Sequence, residues 1–310
     1  HIFNQNIKTV LCHKEREEYS LPIINLNSNE KLIISFDELN SNRKNYNYTI
    51  IHCNADWTKS NLMKSEYIQG FISEPITEYR FSFNTIQEYI HYEFKFPSNN
   101  QKPILSGNYI LKIYEENGTK AIYKRFMILD NKTSIEANVR RATLAQNRNI
   151  KHEVDFTIKH QNLNIADPFS DIIIHVKQNN KEDNAITNLK PLFVKNDELV
   201  YDYEEENTFW AHNEFRHFDF RSLRFQSERI KDIEFDSNYN TIQLFDDKKR
   251  SFDNYSIEPD INGDFKINIQ EGWDSSIEAD YAYVNFSLPL HHISYGNLYL
   301  IGALSDWQLK

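Results

Sequence analysis

From Ile90 to Phe96 the sequence alternates without a break, with Ile90, Tyr92, Phe94 and Phe96 on one side and His91, Glu93 and Lys95 on the other. A strict period of two belongs to a strand that turns one face to a core and the other to water, and no helix can bury that pattern on a single stripe. Just upstream, Tyr79, Phe81 and Phe83 alternate with Arg80 and Ser82, and the polar stretch 84–88 between them suits a connection. The two segments are therefore predicted to pair as an antiparallel hairpin.

The rest of the chain agrees with this start. Its 310 residues hold 21 Phe and 18 Tyr but only 2 Met, and rings favour the half-buried surface of a sheet. With 7 Gly and 8 Pro, turns must be built largely from Asn and Asp, which tolerate left-handed backbone or form local side-chain turns. The sequons at Asn47 and Asn131 follow from that Asn content and carry no weight.

Further strand patterns fall at 32–36, Tyr46–Cys53, 109–114 and 122–129, giving about six or seven strands before residue 130, enough for one sandwich. Asn117-Gly118 is a favoured two-residue turn between two of them. One short helical turn is expected at 60–67, with Ser60 as cap and Met63 and Tyr67 on one face. The polar cluster Asp130-Asn131-Lys132-Thr133 then marks a boundary.

A second β block follows, with Val154, Phe156 and Ile158 alternating, an apolar strand at 172–176, and a hairpin centred on Asn262-Gly263 between 255–261 and 265–269. Near Tyr281 a third unit begins, with strands expected at 283–288 and 298–301. The fold expected is all-β: tandem immunoglobulin-like β-sandwiches at 1–130 and 131–278, and the start of a third, truncated module at 279–310 that lacks a C-terminal remainder.

Chemistry has little to work with. A formal charge of −10 argues against a nucleic-acid partner, and the basic clusters Arg140-Arg141 and Lys248-Lys249-Arg250 read as solvated surface. No apolar run approaches the roughly eighteen residues of a spanning helix, and charged strand faces disfavour a lipid-facing barrel. Cys12 and Cys53 are too few for a disulfide scaffold or a zinc motif. They are two buried free thiols or a single bridge.

His212 and His217 stand five apart without the metalloprotease Glu, so they read as a structural or surface pair. Asp260 to Asp264 reads as a turn more readily than as a calcium loop. Asp202 with Glu204, Glu205 and Glu206 reads as a solvated loop. No catalytic residue, metal ligand or cofactor site is assigned, and an enzyme is not expected.

The stretch Tyr46-Asn47-Tyr48-Thr49-Ile50-Ile51-His52-Cys53-Asn54-Ala55-Asp56-Trp57, continued by Ser65-Glu66-Tyr67-Ile68-Gln69-Gly70-Phe71, resembles the signature of the type IX secretion plug family of Bacteroidota. Supporting likenesses are Tyr79 to Asn84, Leu105 to Tyr109, Arg125-Phe126-Met127, Asp260 to Gly263 and Gly302 to Trp307. The resemblance implies a periplasmic protein, exported and freed of its signal peptide, as a chain beginning at His1 allows. It also implies docking on the inner mouth of a giant outer-membrane translocon barrel, which the protein closes when no cargo passes. Such a protein would be peripheral to the membrane and monomeric apart from the complex. The family's further C-terminal domain resembles carbohydrate-binding sandwiches, so a periplasmic or surface glycan-binding role is the competing expectation, testable on Trp57, Trp210, Trp273 and Trp307.

Partner contact is expected at Trp57, Met63, Tyr67 and Phe71, in the loop-rich excursion of the first sandwich. The alternative is that these side chains fold back to cap the core.

Overall fold

The computed structural model describes residues 1–40, 42–161, 163–250, 259–289, 297–305 and 307. Strands β1 (Ile7–Lys14), β2 (Ile23–Asn25), β3 (Leu32–Glu38), β4 (Tyr46–Cys53), β5 (Ile68–Gly70), β6 (Glu74–Ile76), β7 (Tyr79–Phe81), β8 (Ile90–Phe96), β9 (Gln101–Pro103), β10 (Gly107–Glu115) and β11 (Lys120–Leu129) build the first part of the chain. They form a four-stranded sheet in the order β1-β3-β8-β7, a five-stranded sheet in the order β2-β11-β10-β4-β6, and a small ribbon of β5 with β9.

The two larger sheets face each other, because their inward alternation is aromatic and must be hidden from water. Phe36, Tyr92 and Phe94 from one sheet meet Tyr46 and Tyr48 from the other, with the Tyr48 and Phe94 rings stacked at 4.4 Å. Tyr109, Leu111, Ile113, Phe126 and Ile128 complete this core. Each such fully buried side chain contributes about 1.5–3 kcal/mol of transfer free energy. The β7–β8 pairing and the β10–β11 hairpin form as predicted, but the turn centres on Glu116-Asn117 with Gly118 following at φ +90°, where the sequence predicts Asn117-Gly118 alone.

One expectation for β8 fails. His91 does not face water but is buried, because the segment around Tyr281 covers the outer face of the four-stranded sheet.

Strands β12 (Ser134–Arg141), β13 (Lys151–Lys159), β14 (His175–Val176), β15 (Ile186–Thr187), β16 (Phe193–Val194), β17 (Glu198–Tyr201) and β18 (Thr208–Trp210) follow. The order is β12-β13-β17-β16, with β18 pairing the first residues of β13 and β17 its last. Phe156 stacks on Tyr201 at 4.5 Å in a core shared with Ile158, Ile174 and Leu199. The strand predicted at 172–176 shortens to β14, although Ile174 is buried as expected.

The last sheet joins β19 (Ile230–Phe235), β20 (Asn240–Leu244) and β21 (Ala282–Asn285), with β20 and β21 parallel. The predicted strands at 265–269 and 298–301 do not form, and 255–258 lie outside the described residues. Both segments carry strand-like residues but have no ladder partner for their backbone groups among the described residues. The Asn262-Gly263 turn itself forms, with both residues at positive φ and the Asn262 amide donating to Asp260.

The chain divides into two compact units, each drawn from separate stretches of sequence. One comprises His1–Asp130, Arg216–Asn254 and Asp264–Tyr299, and the other Asn131–Phe215, Tyr255–Gly263 and Leu300–Lys310. Both are built of strands, and the protein is all-β.

Candidate docking surface

The excursion that leaves β4 opens with a tight turn. The Asn54 amide donates to Thr58 O, the Trp57 amide donates to Asn54 O, and Asp56 accepts from both the amide and the hydroxyl of Thr58. Trp57 sits at φ +66°, an uncommon angle for a large side chain, and its half-buried ring lies 4.6 Å from the guanidinium carbon of Arg125.

Helix α1 (Lys64–Tyr67) is a single turn that begins later than predicted. Ser60 is not its cap, because its hydroxyl bonds Nδ1 of His52 at 2.9 Å. Met63 holds the cap position instead, and its amide donates to the Glu66 carboxylate at 2.6 Å.

The helix sorts its neighbours sharply. Tyr67 is only 2% exposed and packs between His52 and Tyr109, whereas Met63 is 69% exposed. The β5–β9 ribbon then carries the chain outward to Phe71 and Ile72, exposed at 62% and 56%. Gly70 makes the ribbon possible: its φ is +102°, and a Cβ there would lie 1.9 Å from the carbonyl oxygen of Asn100. Of the four contact residues expected from sequence, Met63 and Phe71 are displayed, Trp57 is half covered and Tyr67 belongs to the core.

Beside the excursion lies the outer face of the five-stranded sheet. Strand register sets Thr49, Lys112 and Tyr123 in one row, and Ile51, Ile110 and Arg125 in the next. Asn47, Tyr114 and Lys120 form a third row, and Cys53, Asn108 and Met127 a fourth. None of these twelve positions carries a carboxylate, and two of them, Thr49 and Cys53, are buried. Lys112 lies over the Tyr114 ring, and Lys120 over Phe3 and Tyr123. Lys64 donates to Thr49 Oγ1, which itself donates to Ile72 O, so this face and the apolar tips are joined by direct bonds. Burial, then the charges of Lys112 and Lys59, hold the Lys64 ammonium below the usual lysine pKa. Sequence reasoning missed Ile72 and these lysines, although the alternation through Ile110, Lys112 and Tyr114 pointed them outward.

The remaining candidates lie elsewhere in the chain. Arg140 pairs with Glu153 at 2.8 Å, Asp155 at 2.7 Å and Asp202 at 3.4 Å, and Thr143 closes the Glu153 carboxylate from behind. A guanidinium thus stands among three carboxylates whose oxygens lie within 4.8 Å of one another. Glu204, Glu205 and Glu206 are exposed. His212 and His217 lie in chain without regular structure, and both oxygens of Asp260 are taken by the amides of Asn262 and Phe215. Cys12 and Cys53 are free and buried, and burial pushes the Cys12 thiol up to about 12 despite the opposing charge of Lys124.

Comparison with known proteins assigns the architecture. Residues 7–130 match the family described as type 9 secretion system plug protein, 1st domain. A crystal structure of a hypothetical protein from Parabacteroides merdae ATCC 43184 superposes with a TM-score of 0.96 at 31% identity, over 100% of this chain and 78% of that one. A Pseudomonas fluorescens alkylpurine DNA glycosylase, AlkC bound to DNA containing an abasic site analog, aligns at a TM-score of 0.21 and 9% identity, over 40% of this chain and 30% of that one, which carries no argument. No curated protein matches the chain.

Fold and surface together define an all-β sandwich protein. More particularly, residues 7–130 are similar to the first domain of the type IX secretion system plug proteins.

Proposed function

We propose that the protein is a non-catalytic periplasmic plug, which docks on the inner mouth of the type IX outer-membrane translocon barrel and closes it while no cargo passes. The observation that carries this is the match of 7–130 to the plug first domain, the same sandwich that displays Met63, Phe71 and Ile72. A plug must hold its shape across an opening, and paired sheets around an aromatic core leave few soft elements. It must also release. An interface of a few apolar tips with a polar surround suits a contact of moderate strength. In this reading Met63 and Phe71, with Trp57 beside them and Tyr67 anchoring them from beneath, meet the outer-membrane assembly. The chain is exported, peripheral to the membrane and monomeric outside the complex.

The test is gentle detergent extraction with a tag on this chain. Recovery of a very large outer-membrane barrel protein, together with a leak through that barrel in cells lacking the chain, supports the reading. Recovery of the chain alone, with an unchanged permeability barrier, overturns it.

A glycan-binding role keeps one observation in its favour, because Trp273 is 100% exposed and Trp210 is more than half exposed. Stacking platforms present exposed rings in a row, and Trp57 and Trp307 are only partly exposed.

A further inference from the structure

We propose that the outer face of the five-stranded sheet, together with the 57–72 excursion, is a surface for an anionic phospholipid leaflet, with lysines at the headgroups and the apolar tips among the first acyl carbons. The inference goes beyond the plug reading, for it concerns the free chain before it docks.

Charge is the first ground. The chain carries a formal net charge of −10, yet the outward rows of β4, β10 and β11 hold Lys112, Lys120 and Arg125 and no carboxylate. Lys59 and Lys64 extend the same field from the excursion. Asp56 and Glu66, the carboxylates of residues 56–72, are committed to local structure, Asp56 to Thr58 and Glu66 to the Met63 amide. A cation-lined face in an acidic protein repels other copies of itself face to face and attracts an anionic surface.

The second ground is the kind of residue. The centres of protein interfaces are depleted in lysine, and their apolar anchors fill pockets on the partner. Here the cations are mostly lysines and the apolar side chains stand out from the surface, Met63, Phe71 and Ile72 each more than half exposed. Lysine stems with charged ends above projecting apolar tips are the arrangement that a headgroup boundary accommodates. Polybasic attraction contributes about 1 kcal/mol per cation at an anionic leaflet, roughly fivefold in affinity.

Flotation of the purified chain with vesicles tests the proposal. Vesicles of equal parts phosphatidylethanolamine and phosphatidylglycerol should carry the chain up at about 0.1 M salt, and pure phosphatidylcholine vesicles should not. Lys59→Glu with Lys120→Glu should lower the bound fraction more than about tenfold. Met63→Ser with Phe71→Ser should do so on its own. All four positions are exposed, so these changes leave the core intact, and Lys195→Glu with Lys231→Glu serves as the unaffected control.

No flotation, equal flotation on both lipids, or variants that float like the wild type would each overturn the proposal. If the wild type ignores both vesicles while the Lys59 and Lys120 variant no longer co-purifies with the barrel, the occupant is an acidic protein surface. In that case the plug reading stands and the lipid proposal falls. Flotation as expected, with no barrel recovered from cells, upholds the lipid surface and removes the plug reading.

Discussion

The Tyr281 hydroxyl lies 2.6 Å from Oδ2 of Asp37, a contact between residues 244 positions apart in the sequence. The other oxygen of the same carboxylate lies 2.6 Å from Nδ1 of His91. Around this centre Tyr89 donates to the carbonyl of Ala279, Asp280 accepts from the amides of Ile86 and Gln87, and Arg80 pairs with Asp274. The segment 274–281 is thereby tied along the outer edge of the four-stranded sheet, and a pair of charges that would otherwise face solvent is enclosed.

Enclosure gives His91 a defined pH signature. Burial opposes its charged form, but the hydrogen bonds and charges of Asp37 and Glu93 outweigh that and raise the pKa from 6.5 to about 9. A raised folded-state pKa means stability that is fully present below about pH 6.5 and lost as pH rises through about 9. His91→Gln should therefore lower the urea midpoint at about pH 6 by an amount equivalent to at most about 3 kcal/mol, with a gap from wild type that narrows near pH 10. A gap that stays constant across this range would show that the ion pair is not the source.

Gly70→Ala should unseat the excursion without unfolding the sandwich. The new methyl would collide with the Asn100 carbonyl at a backbone angle that favours glycine, and displacing the ribbon costs about 1–3 kcal/mol. Amide exchange should quicken at Phe71, whose amide donates to Asn100 O, and at Ile104, whose amide donates to Tyr67 O, while Leu111 stays protected. Uniform protection at all three would count against the role given to this glycine.

Removing Arg140 leaves Glu153, Asp155 and Asp202 facing one another. Arg140→Ala should cost about 1–3 kcal/mol, less than for a fully buried pair because the guanidinium is half exposed. Three converging carboxylates suit a hard divalent ion, so millimolar calcium should raise the melting temperature of this variant and not that of the wild type. Identical calcium responses in the two proteins would refute that account.

The two thiols should be inert in the folded chain. Burial and the raised pKa of Cys12 leave little thiolate at neutral pH, and Cys53 is raised by burial as well. A maleimide should modify both only after denaturation, and mass spectrometry should find no bridge. Rapid labelling of either in the native protein would contradict the packing of β1 and β4.

For the apolar side of β8 and β10, local alternation is a sufficient guide, whereas Phe81 and Phe83 alternate beside β8 and yet stay exposed. The patterns through Ile90, Tyr92 and Phe94, and through Tyr109, Leu111 and Ile113, are found in the structure with the expected side inward. Failures cluster where burial depends on a distant segment. His91 looked like the water side of β8, and nothing near it in sequence announces Tyr281. Tyr67 and Met63 share a helical spacing, yet the turn is too short to present one face, so one is core and the other surface. The segments 265–269 and 298–301 have strand composition but lack a ladder partner among the described residues, a requirement that composition does not reveal. The displayed part of the excursion is half legible in the sequence: Met63 and Phe71 are expected there, whereas the lysine rows depend on the register of β4, β10 and β11.

Because residues 131–215 interrupt, along the chain, the segments that complete one unit, that unit cannot close during N-to-C emergence until Tyr281 has been delivered. A first sandwich formed before that point would have Asp37 and His91 uncapped, and the arrival of Tyr281 would seal them. A protease nick within the intervening stretch would therefore leave two fragments still clasped together, whereas a product ending before Ser275 would be left open at the place where its earliest strands await their cover.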